Sequence, residues 1–256
     1  MIVEFVGAPG AGKTTLLPEV IRFFESHACP AYTVVEAARP FTRRTLGGKV
    51  VQRLAPKTWQ RPLLWRVFYL LSIGHRLKFM AQRPRLVGQV LASQRNRPAA
   101  ADVRQRQVLP WLFRHMGYYE FLRSRAGPEE VLVFDEGFVH RVVQLHTSSE
   151  EKPHPAQIAA YIDLVPPPDL IIYVRASAAV CEHRIYGRGL WSRAQHKKPA
   201  EISWFVRHAN EGVELAVAHA RSKHWPVVEV INEGEALTAV QANLQQQLSQ
   251  LSLANP

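Results

Sequence analysis

Acidic residues are nearly missing from a third of the chain. Between Arg39 and Arg125 only Asp102 and Glu120 are acidic, against nineteen Lys and Arg, a local net charge of +17. The whole chain of 256 residues carries +11, so the remainder is −6. A solvated face normally mixes signs, and one segment, not the whole protein, is therefore set up to meet an anionic partner. Cysteine is scarce too. Cys29 and Cys181, far apart, make neither a disulfide framework nor a metal knuckle, which points to a reduced, cytoplasmic setting. No run reaches the roughly 18 uninterrupted apolar residues of a membrane-spanning helix, so no integral membrane segment is expected. Internal repeats and low-complexity tracts are also lacking, which excludes repeat arrays and biased tails. The chain is 47% hydrophobic, ample for one large domain or a core carrying an insertion.

What is present is concentrated first at Met1–Thr15. Residues 2–6 are mostly apolar and β-branched or aromatic and predict a short buried strand. Gly7 to Thr14 then match G-x-x-x-x-G-K-[ST] without a gap, and Leu16 and Leu17 open a helical pattern. Glycines let the backbone wrap so that its N–H groups point at phosphate oxygens, and the helix N-terminus adds its dipole. The pattern predicts a nucleoside triphosphate, ATP with Mg²⁺, held by Gly7, Ala8, Pro9, Gly10, Ala11, Gly12, Lys13, Thr14 and Thr15. Lys13 supplies charge to the β- and γ-phosphates and Thr14 a hydroxyl to the metal. The loop starts six residues after Met1, so no signal peptide is expected.

Further strands are predicted at 32–35, 131–134, 170–174 and 227–231. Helices are predicted after the loop to an end near Ser26–Pro30, at 138–147, 155–164, 178–186 and 202–222, and as a closing amphipathic stretch on Leu237, Val240, Leu244, Leu248 and Leu251. Residues 41–126 are basic and largely helical, with segments at 62–74, 84–93 and 103–125. The alternation predicts an α/β three-layer fold, a five-stranded parallel sheet with helices on both faces and a helical insertion between strands two and three. The expected core is 1–40 with 127–256, with a lid at about 184–200.

In such sheets ligands bind at the carboxyl ends of the strands. Asp135 follows four apolar residues, the Walker B arrangement, and can hold Mg²⁺ beside Thr14; Glu136 is the neighbouring alternative, and capping of the next helix is the plainer role. Glu36, expected at the end of strand two, can accept the proton of a substrate hydroxyl, with Arg39 three residues on to hold an anionic group or simply to pair with it. Glu136 and Arg141 complete the candidate acceptor contacts. Arg184 and Arg188, four apart, share a helix face and can offset charge on a migrating phosphoryl group, although cations also favour helix C-termini in general. Arg193, Lys197 and Lys198 extend that basic loop. Asn232, after the last strand, is where a nucleotide base can rest.

Together Gly7–Thr15, Glu36 with Arg39, Phe134-Asp135-Glu136-Gly137 and Arg184-Ile-Tyr-Gly-Arg188-Gly189 resemble the P-loop small-molecule kinases, the group of thymidylate kinase, deoxynucleoside kinases and chloramphenicol phosphotransferase. The resemblance covers about 170 residues at the two ends of the chain. It implies a kinase in which Glu36 is base or substrate anchor, Asp135 serves the metal, and Arg184 and Arg188 belong to a lid closing on ATP. Two motifs depart from the family. Asp135-Glu136-Gly137-Phe138 stands where thymidylate kinases carry Asp-Arg and an aromatic, and Glu36-Ala37 stands where deoxynucleoside kinases carry Glu-Pro.

The segment 41–126 matches no named pattern and is expected to bind the acceptor. Trp59, Trp65, Phe68, Tyr69, Phe79, Trp111, Tyr118 and Tyr119 lie among its cations; their helical spacing favours a subdomain core over stacking on sugars or bases. The leading expectation is a kinase acting on a small anionic acceptor. Action on nucleic-acid or polysaccharide ends ranks below it, and a non-catalytic NTP-binding module docked on an anionic membrane ranks third. A homodimer is compatible with all three.

Overall fold

The computed structural model describes residues 1–95, 108–148, 150–190, 195 and 197–254. Its five strands are β1 (Ile2–Val6), β2 (Ala31–Thr33), β3 (Val131–Phe134), β4 (Leu170–Arg175) and β5 (Val227–Ile231), all parallel in one sheet of order β2-β3-β1-β4-β5. The expected fold class is met. β1, β3 and β4 are buried almost throughout, as a parallel sheet flanked by helices requires. The chain falls into two compact units. One consists of Met1 with Ala28–Val133, the other of Ile2–His27 with Phe134–Pro256.

The second of these units holds β1, β4 and β5 with α1 (Lys13–Ser26), α7 (Val142–Leu145), α8 (Pro155–Ile162), α9 (Ala178–Gly187), α10 (Pro199–Ser222) and α11 (Leu237–Ala254). Val3 pairs with Leu170 and Ile171 with Val227, and the Ile2 N–H donates to Asp169 Oδ2 at 2.6 Å, which pins the start of β1 to that of β4. The chain leaves β1 and β4 in opposite directions across the sheet, so right-handed crossovers put α1 and α10 on opposite faces. α11 packs on β5 and on α1. There Glu19 of α1, buried, accepts from Arg22 and from Gln241 of α11. Residues 138–147 do not form the continuous helix expected of them; hydrogen-bonded turns lead into the short α7 instead.

The other unit holds β2, β3 up to Val133, α2 (Val34–Arg43), α3 (Leu46–Leu54), α4 (Lys57–Gln82), α5 (Pro84–Arg95) and α6 (Val108–Arg123). β2 stops at Thr33, short of the expected residue 35. Thr33 and Glu36 form a capping box in which Thr33 Oγ1 accepts from the Glu36 N–H at 3.2 Å and Glu36 Oε2 from the Thr33 N–H at 3.0 Å. Satisfying both ends this way outweighs the strand preference of Val34 and Val35. α4 runs beyond the expected 62–74 at both ends and packs along α6. A Cβ on Gly117 would lie 2.4 Å from the Ser72 carbonyl, so glycine permits this close crossing. Phe68 lies tilted against Tyr118 at 4.8 Å and edge-on to Phe121 at 5.3 Å, and Phe79 meets Tyr119 at 6.0 Å. Core packing thus absorbs Phe68, Phe79 and Tyr119, while Trp59, Trp65, Tyr69 and Trp111 stay exposed. Among the described residues no helix is long and apolar enough to cross a membrane.

Candidate active site

Gly12 occupies the N-cap of α1 at φ 101°, a left-handed conformation, and a Cβ there would lie 2.4 Å from Asn232 Nδ2. No side chain caps α1, and a helix N-terminus of this kind suits an anion, which the helix dipole also favours. Lys13 folds back along the loop, its Nζ donating to the Gly7 carbonyl at 2.7 Å and the Ala8 carbonyl at 3.1 Å. Burial pulls the Lys13 ammonium down to about 8, against the upward pull of Glu136, Cys181 and Asp135, and Arg188 pushes it further down. Thr14 and Thr15 are exposed on the first turn.

Asn232 closes the loop from behind. Its Nδ2 donates to the Ala11 carbonyl at 2.8 Å, and its Oδ1 accepts from Arg184 Nη2 at 2.9 Å. Arg184 Nη1 approaches the same Ala11 carbonyl at 3.4 Å. The buried Asn232 amide, expected to meet a base, thus braces the loop and holds an arginine against it. Arg188 is the C-cap of α9 and its N–H donates to the Arg184 carbonyl at 3.1 Å, so the helical spacing of the two arginines persists. Arg184 is half-buried and Arg188 exposed. Of the expected lid, Arg193 with the rest of 191–194, and His196, lie outside the described residues.

After β3 the two acids part. Glu136 is engaged: its Oε2 accepts from Arg141 Nη1 at 3.2 Å and from Gln144 Nε2 at 3.3 Å. Asp135 is exposed and has no hydrogen bond or ion pair among the described residues. Thr14 and Asp135 both offer exposed hard oxygens. They suit Mg²⁺, which takes one or two protein oxygens and completes its shell with water and phosphate. Among the described residues no group of three or more His, Cys, Asp or Glu gathers as an all-protein cage.

Beneath Glu136 lies a residue not expected at the site. Glu4, in the middle of β1, is fully buried; its Oε1 accepts from the Phe138 N–H at 2.8 Å and its Oε2 from the Val139 N–H at 2.9 Å. Gly137 makes room, since a Cβ there would fall 2.0 Å from the Glu4 carboxyl carbon. Burial raises the Glu4 carboxyl to about 7, and its two backbone hydrogen bonds and Arg141 restrain that rise. From the other side the buried Tyr161 hydroxyl donates to the Phe138 carbonyl at 3.0 Å. The turn that carries Asp135 and Glu136 is therefore clamped by both its donors and its acceptor. His140, buried close by, is held neutral by burial and by the charges of Lys13 and Arg141. The sequence carried one signal for this clamp, a lone acid inside an otherwise apolar strand.

In the other unit Glu36 is exposed on the first turn of α2, and its Oε2 also accepts from Thr33 Oγ1 at 2.8 Å. The expected strand-end acid is thus a helix-capping acid, bonded to Thr33 rather than to Arg39, which is exposed.

No family model and no curated protein matches the chain. It is similar to a solved structure of deoxyadenosine kinase from M. mycoides with bound dATP, at 14% identity over 98% of this chain and 100% of that one, with a TM-score of 0.47. A second structure of deoxyadenosine kinase from M. mycoides, with the products dCMP and a flexible dCDP, is similar at 14% identity over all of both chains, with a TM-score of 0.42.

Proposed function

We propose that the protein is an ATP-dependent phosphotransferase that moves the γ-phosphoryl of ATP to a hydroxyl or phosphate of a small anionic acceptor. The observation that carries this reading is the arginine brought to the loop: Asn232 holds Arg184 against Ala11 beside Lys13, with Arg188 one turn on. Binding alone needs the loop and Lys13; cations supplied from a separate helix serve charge that develops during transfer. In this reading the loop amides and Lys13 bind the β- and γ-phosphates. Thr14 and Asp135 hold Mg²⁺, which neutralises phosphate charge, and Glu136 is committed to Arg141 instead. Arg184 and Arg188 stabilise the migrating group. Glu36 orients or deprotonates the acceptor with the oxygen opposite its cap, Arg39 meets acceptor charge, and Arg141 holds Glu136 in place.

A screen of small-molecule acceptors for ATP-dependent ADP release tests the reading, with Lys13→Ala as control. Lys13→Ala is expected to lower release by at least about 10²-fold with an unchanged melt, since the native lysine is buried at a cost. Undiminished release in that variant sinks the assignment. Glu36→Gln keeps an acceptor for the cap, so a fall in turnover with unchanged melting and ATP affinity supports the base, whereas a fall in ATP affinity alone removes it.

A further inference from the structure

The two most exposed large apolar side chains among the described residues belong to α3. Leu46 is 83% exposed and Leu54 is 76% exposed, with Val50 between them at 55%. Spaced four apart, the three form one stripe along the helix. Only Gly48 of α3 is buried, so the helix gives the core almost nothing. Its stripe continues into a groove of about 470 Å³ lined by Val50, Leu54, Pro56, Trp59 and Leu63, and Trp59 is itself 61% exposed. The corner is fixed rather than loose. Gln60 Nε2 donates to the Gln52 carbonyl at 3.2 Å and the Ala55 carbonyl at 3.1 Å, and Thr45 caps α3 by accepting from the Gly48 N–H at 3.1 Å.

Exposed cations border the stripe: Lys49, Arg53, Lys57 and Arg61. No acid occurs anywhere from Ala37 to Ala101, and Glu120, the described acid of the basic segment, is buried beside Lys78 at 2.8 Å. We infer that α3 and the first turns of α4 form a docking face for an anionic lipid bilayer. Leucine and tryptophan side chains inserting at the headgroup boundary, ringed by Lys and Arg, are the chemistry of an interfacial helix. A second copy of the chain does not fit as occupant, because two such faces would bring like charge together. A protein partner is less suited than a bilayer, because the most exposed leucines stand on the outer stripe of α3 and need no matching socket. This face is independent of the nucleotide chemistry and does not require it.

The test is co-sedimentation of the full chain, without nucleotide, with phosphatidylcholine vesicles with or without roughly 30 mol% phosphatidylglycerol, a mixture made negative enough to attract basic segments. Binding at least about tenfold stronger to the anionic vesicles, and weakening with salt, is expected. Leu54→Glu with Trp59→Glu is expected to lower it by a further tenfold or so, and Lys49→Gln with Arg53→Gln to lower it less, both with unchanged circular dichroism and ATP binding. Absence of binding to anionic vesicles overturns the inference. So does equal binding by the Leu54→Glu, Trp59→Glu variant, which would reduce the effect to bulk charge. Tighter binding to a single-stranded oligonucleotide with the same sensitivity to Leu54→Glu would assign the face to nucleic acid and overturn it as well.

Discussion

Charge is used in opposite ways by the two units. Around the loop, Lys13, Glu4 and Arg141 are buried or nearly so, each engaged at fixed distances by backbone or side-chain atoms. In the basic helical unit, Lys49, Arg53, Lys57 and Arg61 stand exposed beside leucines that are exposed as well. A buried charge costs desolvation and is retained only where geometry returns that cost, so it marks a place where position matters to within a bond length. Exposed charges of one sign act at the range of the ionic atmosphere and are indifferent to small displacements. The first arrangement suits bond-making at a phosphate, the second suits attraction of a surface.

The comparison is sharpened first where the basic unit does depend on packing. Phe68→Ala, deep between α4 and α6, is expected to destabilise that unit by about 3–5 kcal/mol, read as faster hydrogen exchange in those two helices. Glu4 comes next. Its folded carboxyl titrates at about 7 against a reference of 4.5, so between these values the folded state keeps a proton that the unfolded state has released. Stability should therefore fall as pH rises through that window, by about 3 kcal/mol in all, and then level off. Glu4→Gln should flatten this slope in denaturant titrations at a series of pH values; an unchanged slope would show that Glu4 does not carry it.

Asn232→Ala should weaken ATP binding by about tenfold, the cost of removing the shorter of the Ala11 carbonyl's two hydrogen bonds and the acceptor of Arg184. Wild-type affinity in that variant would mean the loop holds its shape unaided. The smallest effect concerns Lys13. With its ammonium at about 8, triphosphate binding near that pH should take up about half a proton and none near pH 6. Binding heats that do not vary with buffer ionisation enthalpy at pH 8 would contradict this.

The loop, the order of elements and the sheet could be read in the chain because they follow from local spacing and periodicity. Glu36 was misplaced for a local reason too: Thr33-x-x-Glu36 announces a capping box, but the β-branched run Thr33-Val34-Val35 argues for strand, and hydrogen bonding decided between them. Asp135 and Glu136 could not be ranked, since what separates them is the reach of Arg141 and Gln144. The strand-end position of Asn232 suggests a contact with a nucleotide base, and nothing nearby in the sequence announces its bonds to Ala11 and Arg184. The aromatics at helical spacing divided between core and surface, a division set by the crossing of α4 and α6 that no single helix encodes.

The Asn232–Ala11 bond spans 221 positions of the chain. On a translating ribosome moving at about 5–20 residues per second, the glycine loop leaves the exit on the order of ten or more seconds before its brace. A nascent chain arrested ahead of Asn232 should thus hold ATP more weakly than the finished chain, although its entire signature motif is already made. The loop therefore gains its brace only once the chain between Ala11 and Asn232 has been made.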